Sequence, residues 1–389
     1  SREEVSTLQV NGEAIPMATS ERCLGAYLGF DRRHHKTRLS LNLAGCRRIC
    51  ERIALTSLPL PVRAFLVASL VVPKAMYACS ATPCGKKALQ SLRAAAGRAI
   101  WGQTNRWRSN EMLFCVVCKG HLSDAIQAVA FNTFIVARRI LSRREDLWQL
   151  YTDTYELRGL HYRSRIGGPV LALLQAARTA GADFLNPGLV QFRTPDNSTD
   201  QFLLVGGETK KVAHQVREAL RAEQYAVLED RRPSYEGIAY HGLNRKATEV
   251  ILKDKICGLD KYRLRCLITG AMASCSRLHK AKMRDSPACP CCGVESESMM
   301  HIIDECPALE SIRCREFTKE EWLALPCCLR CHGIVPQRQV HEDFVAPARY
   351  AEDEADGAKA LATNVQYSLL DMFQIRSEKL GAPMPVPRW

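Results

Sequence analysis

The stretch from Cys289 to Pro307, CPCCGVESESMMHIIDECP, constrains this chain more than any other. Cys289, Cys292, His301 and Cys306 follow the spacing C-x2-C-x8-H-x4-C. Two thiolates three positions apart can approach one ion from a tight turn, and Pro290 and Gly293 suit that turn. His301 and Cys306 are five apart, about 140° around an ideal helix, so an unbroken helix would splay them. Cys306 precedes Pro307, and a residue before proline is pushed out of the helical region. The helix is therefore expected to end at Cys306 and let its thiolate turn back. Three sulfur donors and one imidazole, with no open position, predict a structural zinc ion. Cys291 competes with Cys292 for the second ligand position, and the placement of Gly293 favours Cys292.

Two other cysteine clusters carry a weaker signal. CVVCKGH supplies Cys115, Cys118 and His121 but no evident fourth ligand, and packed thiols are the expected reading. LPCCLRCHG supplies Cys327, Cys328, Cys331 and His332, which with Cys314 offer a second ion site as the alternative to a cysteine-rich turn. The chain has 18 cysteines, a number that a secreted disulfide scaffold would also show. Its 389 residues are enough to bury a real core, and no signal peptide is expected from its first residues. An intracellular, reducing compartment is expected, nucleus or mitochondrion, with a few cysteines on metal.

The chain reads as mainly α, a multi-domain helical protein with a small N-terminal β element and the CCHC zinc-binding module. LQVNGEAIPM carries an Asn11-Gly12 hairpin signal, and residues 40–103 read as helices, one of them opened by prolines and interrupted by Pro73. SDAIQAVAFNTFIVARRIL predicts a helix capped by Ser123 or Asp124. Around FLLVGGETKKVAHQVREAL a short strand followed by a helix is expected. The acidic HEDFVAPARYAEDEADGAKA reads as a linker before a last helix, NVQYSLLDMFQIRSEKL. These changes of character divide the chain at 1–110, 111–239, 240–336 and 337–389. No apolar run is long enough to span a membrane: AFLVASLVV is short and stops at Pro73.

Charge points to a partner. With 54 Lys and Arg against 41 Asp and Glu the net charge is +13, which favours an acidic partner and above all nucleic acid. Between Arg245 and Arg284 there are eleven Lys or Arg against three acids. Arg245, Lys246, Lys261, Arg263, Arg265, Arg277, Lys280 and Lys282 are the expected contacts to an RNA or DNA backbone, the last six of them held in one array by the adjoining zinc module. Trp101 and Trp107 interleaved with Arg106 and Arg108, followed by Arg138, Arg139, Arg143, Arg144, Arg163 and Arg165, form a second basic and aromatic group. Taken singly, each of these reads more simply as a solvated charge or a core ring.

The stretch LRCLITGAMASCSRLHKAKMRDSPACPCCGVESESMMHIIDECP resembles the zinc-binding region that follows the polymerase in non-LTR retrotransposon reverse transcriptases. CLGAYLGF is similar to the segment just beyond the palm of that family, and LPVRAFLVASLVVPKAMYAC is similar to its thumb helix. AAAGRAIWG and LPCCLRCHGIVP resemble retroelement open reading frames of dinoflagellate-like protists. The resemblance covers about 1–110 and 240–336. It implies a thumb and zinc module that grips a nucleic-acid duplex. The family holds its two catalytic metal ions on adjacent aspartates, and this chain has no Asp-Asp pair. The chain begins at Ser1 without a Met, which suits a processed product or a piece of a longer reading frame. The resemblance implies that a palm lay upstream of Ser1 and is gone, leaving a remnant able to grip a duplex and unable to extend it.

Two alternatives stand beside this expectation. One is a domesticated structural subunit of a large ribonucleoprotein or organellar assembly. The other is a restriction-like endonuclease, for which Pro195, Asp196, Glu208 and Lys210 offer a Mg2+ signature with an apolar FLLV strand presenting Glu208. That signature precedes the zinc module here, the reverse of the family order.

Overall fold

The structure is a computed structural model. It describes four short strands within residues 9–29 and then residues 32–381, except 78, 82–83, 103–106, 161–167, 195–197, 254–257, 338–339, 342–343, 346, 348–349 and 351–353. Most of the described chain is helical, as expected. At the start lie two antiparallel pairs, β1 (Gln9–Val10) with β2 (Glu13–Ala14), and β3 (Ser20–Cys23) with β4 (Ala26–Gly29). Among the described residues no helix is long and apolar enough to cross a membrane.

A long helix, Arg32–Ala54, packs against the helix Lys86–Trp101. The latter buries Leu89, Leu92, Ala96, Ala99 and Ile100 along one face. Between them Pro73 does not break the helix, as had been expected, but widens it. Leu60–Leu66 passes into a π turn, Val67–Val71, and then into Val72–Met76. A proline ring collides with the carbonyl four residues before it, here Ser69, and the wider turn makes room for it.

Asp124 is the cap of the helix Ala125–Leu141, accepting the Ile126 N–H at 3.0 Å. The chain then adds more strand than expected. β5 (Ala182–Asn186), β6 (Leu189–Arg193) and β7 (Thr199–Leu203) form an antiparallel sheet in the order 5-6-7 ahead of the helix Thr209–Arg231. Phe192 and Phe202 of this sheet meet Phe134 of the Ala125–Leu141 helix in a core of its own. Arg138 is buried there. It donates to the carbonyls of Leu203 at 3.1 Å, Leu204 at 3.0 Å and Gly207 at 2.7 Å, so it caps the sheet end instead of facing a phosphate.

The larger core runs from Leu43 to Phe373 and includes Cys289 and Cys306. The last helix runs through it. This helix spans Glu354–Lys379 and so begins inside the acidic stretch expected to be a linker. Asp356 in its first turn suits the positive end of the helix dipole. Gly357 lets the backbone approach the Tyr350 carbonyl more closely than any side chain would allow. Leu361, Ala362, Val365, Leu369, Met372 and Phe373 are fully buried. Gln366 donates to the carbonyls of Thr248 at 3.0 Å and Gly333 at 2.8 Å, tying this helix to segments far away in the chain.

Candidate metal centre

The cluster begins with a tight turn. The Gly293 N–H donates to the Cys289 carbonyl at 3.0 Å, and the Cys289 N–H donates to the Val294 carbonyl at 2.9 Å. Gly293 has φ +79°, a left-handed conformation that only glycine adopts without strain. The turn brings Cys289 and Cys292 to one side. Cys291, the competitor, is not part of the group.

His301 and Cys306 come from the other side on a π turn, His301–Glu305. The Cys306 N–H donates to the His301 carbonyl at 2.7 Å, five residues back. An α-helix would have splayed these two residues, and the wider turn brings both onto one side. Cys306 then leaves the helix with φ −64° and ψ 115°, as Pro307 requires. The turn is held from outside. Arg313 donates to the Cys306 carbonyl at 2.7 Å and to the Ile302 carbonyl at 3.5 Å. Asp304 accepts from Trp322 Nε1 at 3.1 Å and from Arg330 at 2.7 Å.

One ligand atom from each of Cys289, Cys292, His301 and Cys306 lies within 4.8 Å of the others, so the four can hold a metal ion. Cys289 Sγ and Cys306 Sγ are 3.9 Å apart, and Cys292 Sγ is 3.2 Å from His301 Nε2. An ion with four tetrahedral ligands and metal–sulfur bonds of about 2.3 Å spaces its sulfurs about 3.8 Å apart. The donor set and its spacing therefore fit such an ion. His301 turns its other nitrogen, Nδ1, toward the Glu305 carboxylate at 3.6 Å, within ion-pair reach. A carboxylate behind a ligand histidine fixes the ring orientation. The thiols are not equivalent. Burial opposes ionisation of Cys292, yet the Val294 backbone and the neighbouring thiols of Cys289 and Cys306 hold it below the usual thiol value. Burial, followed by the charge of Cys289, pushes Cys306 up to about 12. A bound cation would draw off the remaining protons, so uptake should release them.

Glu297 and Arg376 complete the surroundings, and no local sequence pattern announces either. Glu297 lies between the two halves of the cluster and is fully buried. Its carboxylate takes both Arg376 bonds at 2.7 Å and the Cys275 N–H at 2.6 Å. Burial alone would raise the Glu297 carboxyl; the Arg376 bonds and charge outweigh it and hold it below the ordinary carboxylate range.

The remaining cysteine clusters do not assemble into sites among the described residues. His332 is buried with Nδ1 2.8 Å from the Leu267 carbonyl and Nε2 2.9 Å from Ser234 Oγ, and its ring stacks on Tyr235 at 3.8 Å. Both of its nitrogens are taken, so it is no ligand, and Cys314 is exposed elsewhere. Cys115 and Cys118 are packed in the core, and burial pushes each up to about 12.

The eight basic residues differ in what they face. Arg245 pairs with Glu249 and donates to the Val116 carbonyl at 3.2 Å. Arg263 turns to Asp260 at 3.2 Å and to Gln374 at 3.4 Å. Arg265 is half-buried, and burial draws its guanidinium below the ordinary value. Lys261 is half-buried and Lys246 exposed. Arg277, Lys280 and Lys282 are exposed together, on the helix Cys275–Lys280 and the turn that leads into the cluster, although partial burial and the neighbouring Arg232 charge draw the Arg277 guanidinium below its ordinary value too. Trp101 is a core ring beside Tyr262, and Arg108 is buried. Of the endonuclease signature, Pro195 and Asp196 lie outside the described residues. Glu208 is not on a strand; it is the exposed cap position of the helix Thr209–Arg231, and Lys210 is exposed beside it.

No family model, curated protein or solved structure matches this chain.

Proposed function

We propose that the chain is a nucleic-acid-binding portion of a non-LTR retrotransposon reverse transcriptase that carries no polymerase site of its own, and that the ion in its cysteine–histidine cluster is zinc. Three soft sulfur donors and one imidazole favour zinc over harder ions. The observation that carries the binding reading is the position of Arg277, Lys280 and Lys282. All three are exposed, and they sit on the short helix and turn that open directly into the cluster. Fixing the cluster fixes that turn, and with it three cations that can face consecutive phosphates. The inward Arg245, Arg263 and Arg265 serve the fold in this reading.

The test is binding of duplex and single-stranded RNA and DNA at several salt concentrations, with wild type and an Arg277/Lys280/Lys282 triple alanine variant. Contacts to phosphates release counterions, so affinity should fall log-linearly with salt. Equal affinity and equal slope for both proteins would end the reading.

A second reading has its own support. Leu55, Val62, Phe65 and Leu70 are exposed on the first helices, at 76%, 40%, 68% and 51% of their full accessibility. Large apolar side chains left in solvent suit a subunit docked in a large assembly. Co-purification with such an assembly, at salt that abolishes nucleic-acid binding, would favour it.

A further inference from the structure

Cys79 and Cys84 stand apart from the metal cluster. Their sulfurs are 3.0 Å apart, the closest approach of two thiols given for the described residues. Cys79 is buried, and its sulfur also lies 3.1 Å from the Ala75 carbonyl. Cys84 is half-buried and sits two residues before the helix Lys86–Trp101, whose cap is Gly85. The positive end of that helix favours a thiolate at Cys84. Cys79 and Cys84 both line a cavity of about 770 Å³, whose wall also carries the cations Lys86, Arg93, Arg178 and Arg231 and the carboxylates Glu111 and Glu223. Cations outnumber carboxylates on this wall, so a small acidic molecule can reach the pair.

We propose that Cys79 and Cys84 are a redox-active dithiol that closes to a disulfide by exchange with a small, acidic, soluble disulfide, for which glutathione disulfide is the probe. The Cys84 thiolate attacks one sulfur of the probe. The probe's S–S bond breaks, one glutathione leaves and takes up a proton, and the other remains on Cys84. Cys79 then gives up its proton and attacks the Cys84 sulfur, releasing the second glutathione. Two protein thiols are oxidised, and one small disulfide is reduced to two thiols. The sulfurs need to approach by about 1 Å to reach bonding distance. The contact with the Cys79 sulfur lowers Cys84 below its usual thiol value against the effect of burial, which fits attack by Cys84, the more exposed of the two. In a reducing pool the dithiol form prevails, and the bond would register a shift toward oxidation.

The experiment uses the purified full chain, equilibrated in glutathione buffers of rising oxidised fraction, quenched in acid, alkylated and mapped by peptide mass spectrometry. Wild type should lose both thiols together to a Cys79–Cys84 bond with no glutathione retained. Cys79→Ser should retain glutathione on Cys84, because the residue that displaces it is gone. Cys84→Ser should leave Cys79 as a free thiol. The proposal is overturned if wild type, still folded by circular dichroism, keeps both residues alkylatable in fully oxidised glutathione. It is equally overturned if Cys79 takes up glutathione in Cys84→Ser. The wild-type arm decides the matter even if a variant fails to fold.

Discussion

Arg376, near the end of the last helix, grips Glu297, in the middle of the cysteine–histidine cluster, by a bidentate ion pair with both contacts at 2.7 Å and both side chains sealed from solvent. The two residues are 79 apart in sequence. The pair couples the shape of the metal loop to the docking of a helix that packs against segments between Arg245 and His332.

Breaking that pair on one side should be costly. Arg376→Leu leaves Glu297 buried, charged and short of two hydrogen bonds. The expected loss is about 3–5 kcal/mol of folding stability. Arg376→Met combined with Glu297→Gln removes both charges and should recover part of it. Denaturant midpoints for the single and double variants measure this. A double variant no more stable than Arg376→Leu would deny that the unpaired charge is the cause.

His332 gives a pH dependence with a definite sign. Burial pushes its imidazole from the ordinary 6.5 down to about 3. Between those values the unfolded chain holds a proton that the folded chain does not. Stability is therefore undiminished above pH 6.5 and falls as pH drops toward 3, by up to about 1.4 kcal/mol per pH unit for one proton. The metal cluster titrates in both proteins, so the comparison is between the slopes of wild type and His332→Gln. The variant should show the shallower slope. Identical slopes would mean that His332 is not held neutral in the fold.

Lys282 separates binding from folding. Among the described residues it is the non-glycine residue with positive φ, at +57°, just past the helix Cys275–Lys280. A left-handed conformation costs a side chain roughly 1–2 kcal/mol, and glycine relieves it. Lys282→Gly should thus unfold no more easily than wild type, yet reduce the salt slope of nucleic-acid binding by about one unit. Arg263→Ala, whose guanidinium is already engaged by Asp260 and Gln374, should cost stability and leave the slope alone. Salt titrations of the two variants that gave the reverse pattern would count against the outward face.

The parts of this molecule that were legible in the sequence are those set by neighbours in the chain. The ligand spacing, Gly293 in the turn, Pro307 behind Cys306 and the Asp124 cap are all local. The five-residue step from His301 to Cys306 carried a further signal, since joining both to one ion demanded something wider than an α-helix. The π turn supplies it. What was not legible depends on distant partners. Nothing near Glu297 announces Arg376. Counting charges between Arg245 and Arg284 could not tell that Arg263 faces Gln374 while Lys280 faces solvent, because direction depends on the helix packed alongside. The acidic stretch looked like a linker by composition alone, and the buried face beginning at Ala358 draws its end, from Glu354, into the last helix.

The metal content of the purified chain tests the central claim most directly. Elemental analysis of the full protein, purified without chelator, should find one zinc per chain, with X-ray absorption showing three sulfurs and one nitrogen around it. Cys292→Ser and His301→Ala should lose the ion and open residues 289–306 to protease, since structural zinc supplies folding energy directly. A folded chain free of metal, with 289–306 still protected, would contradict the account.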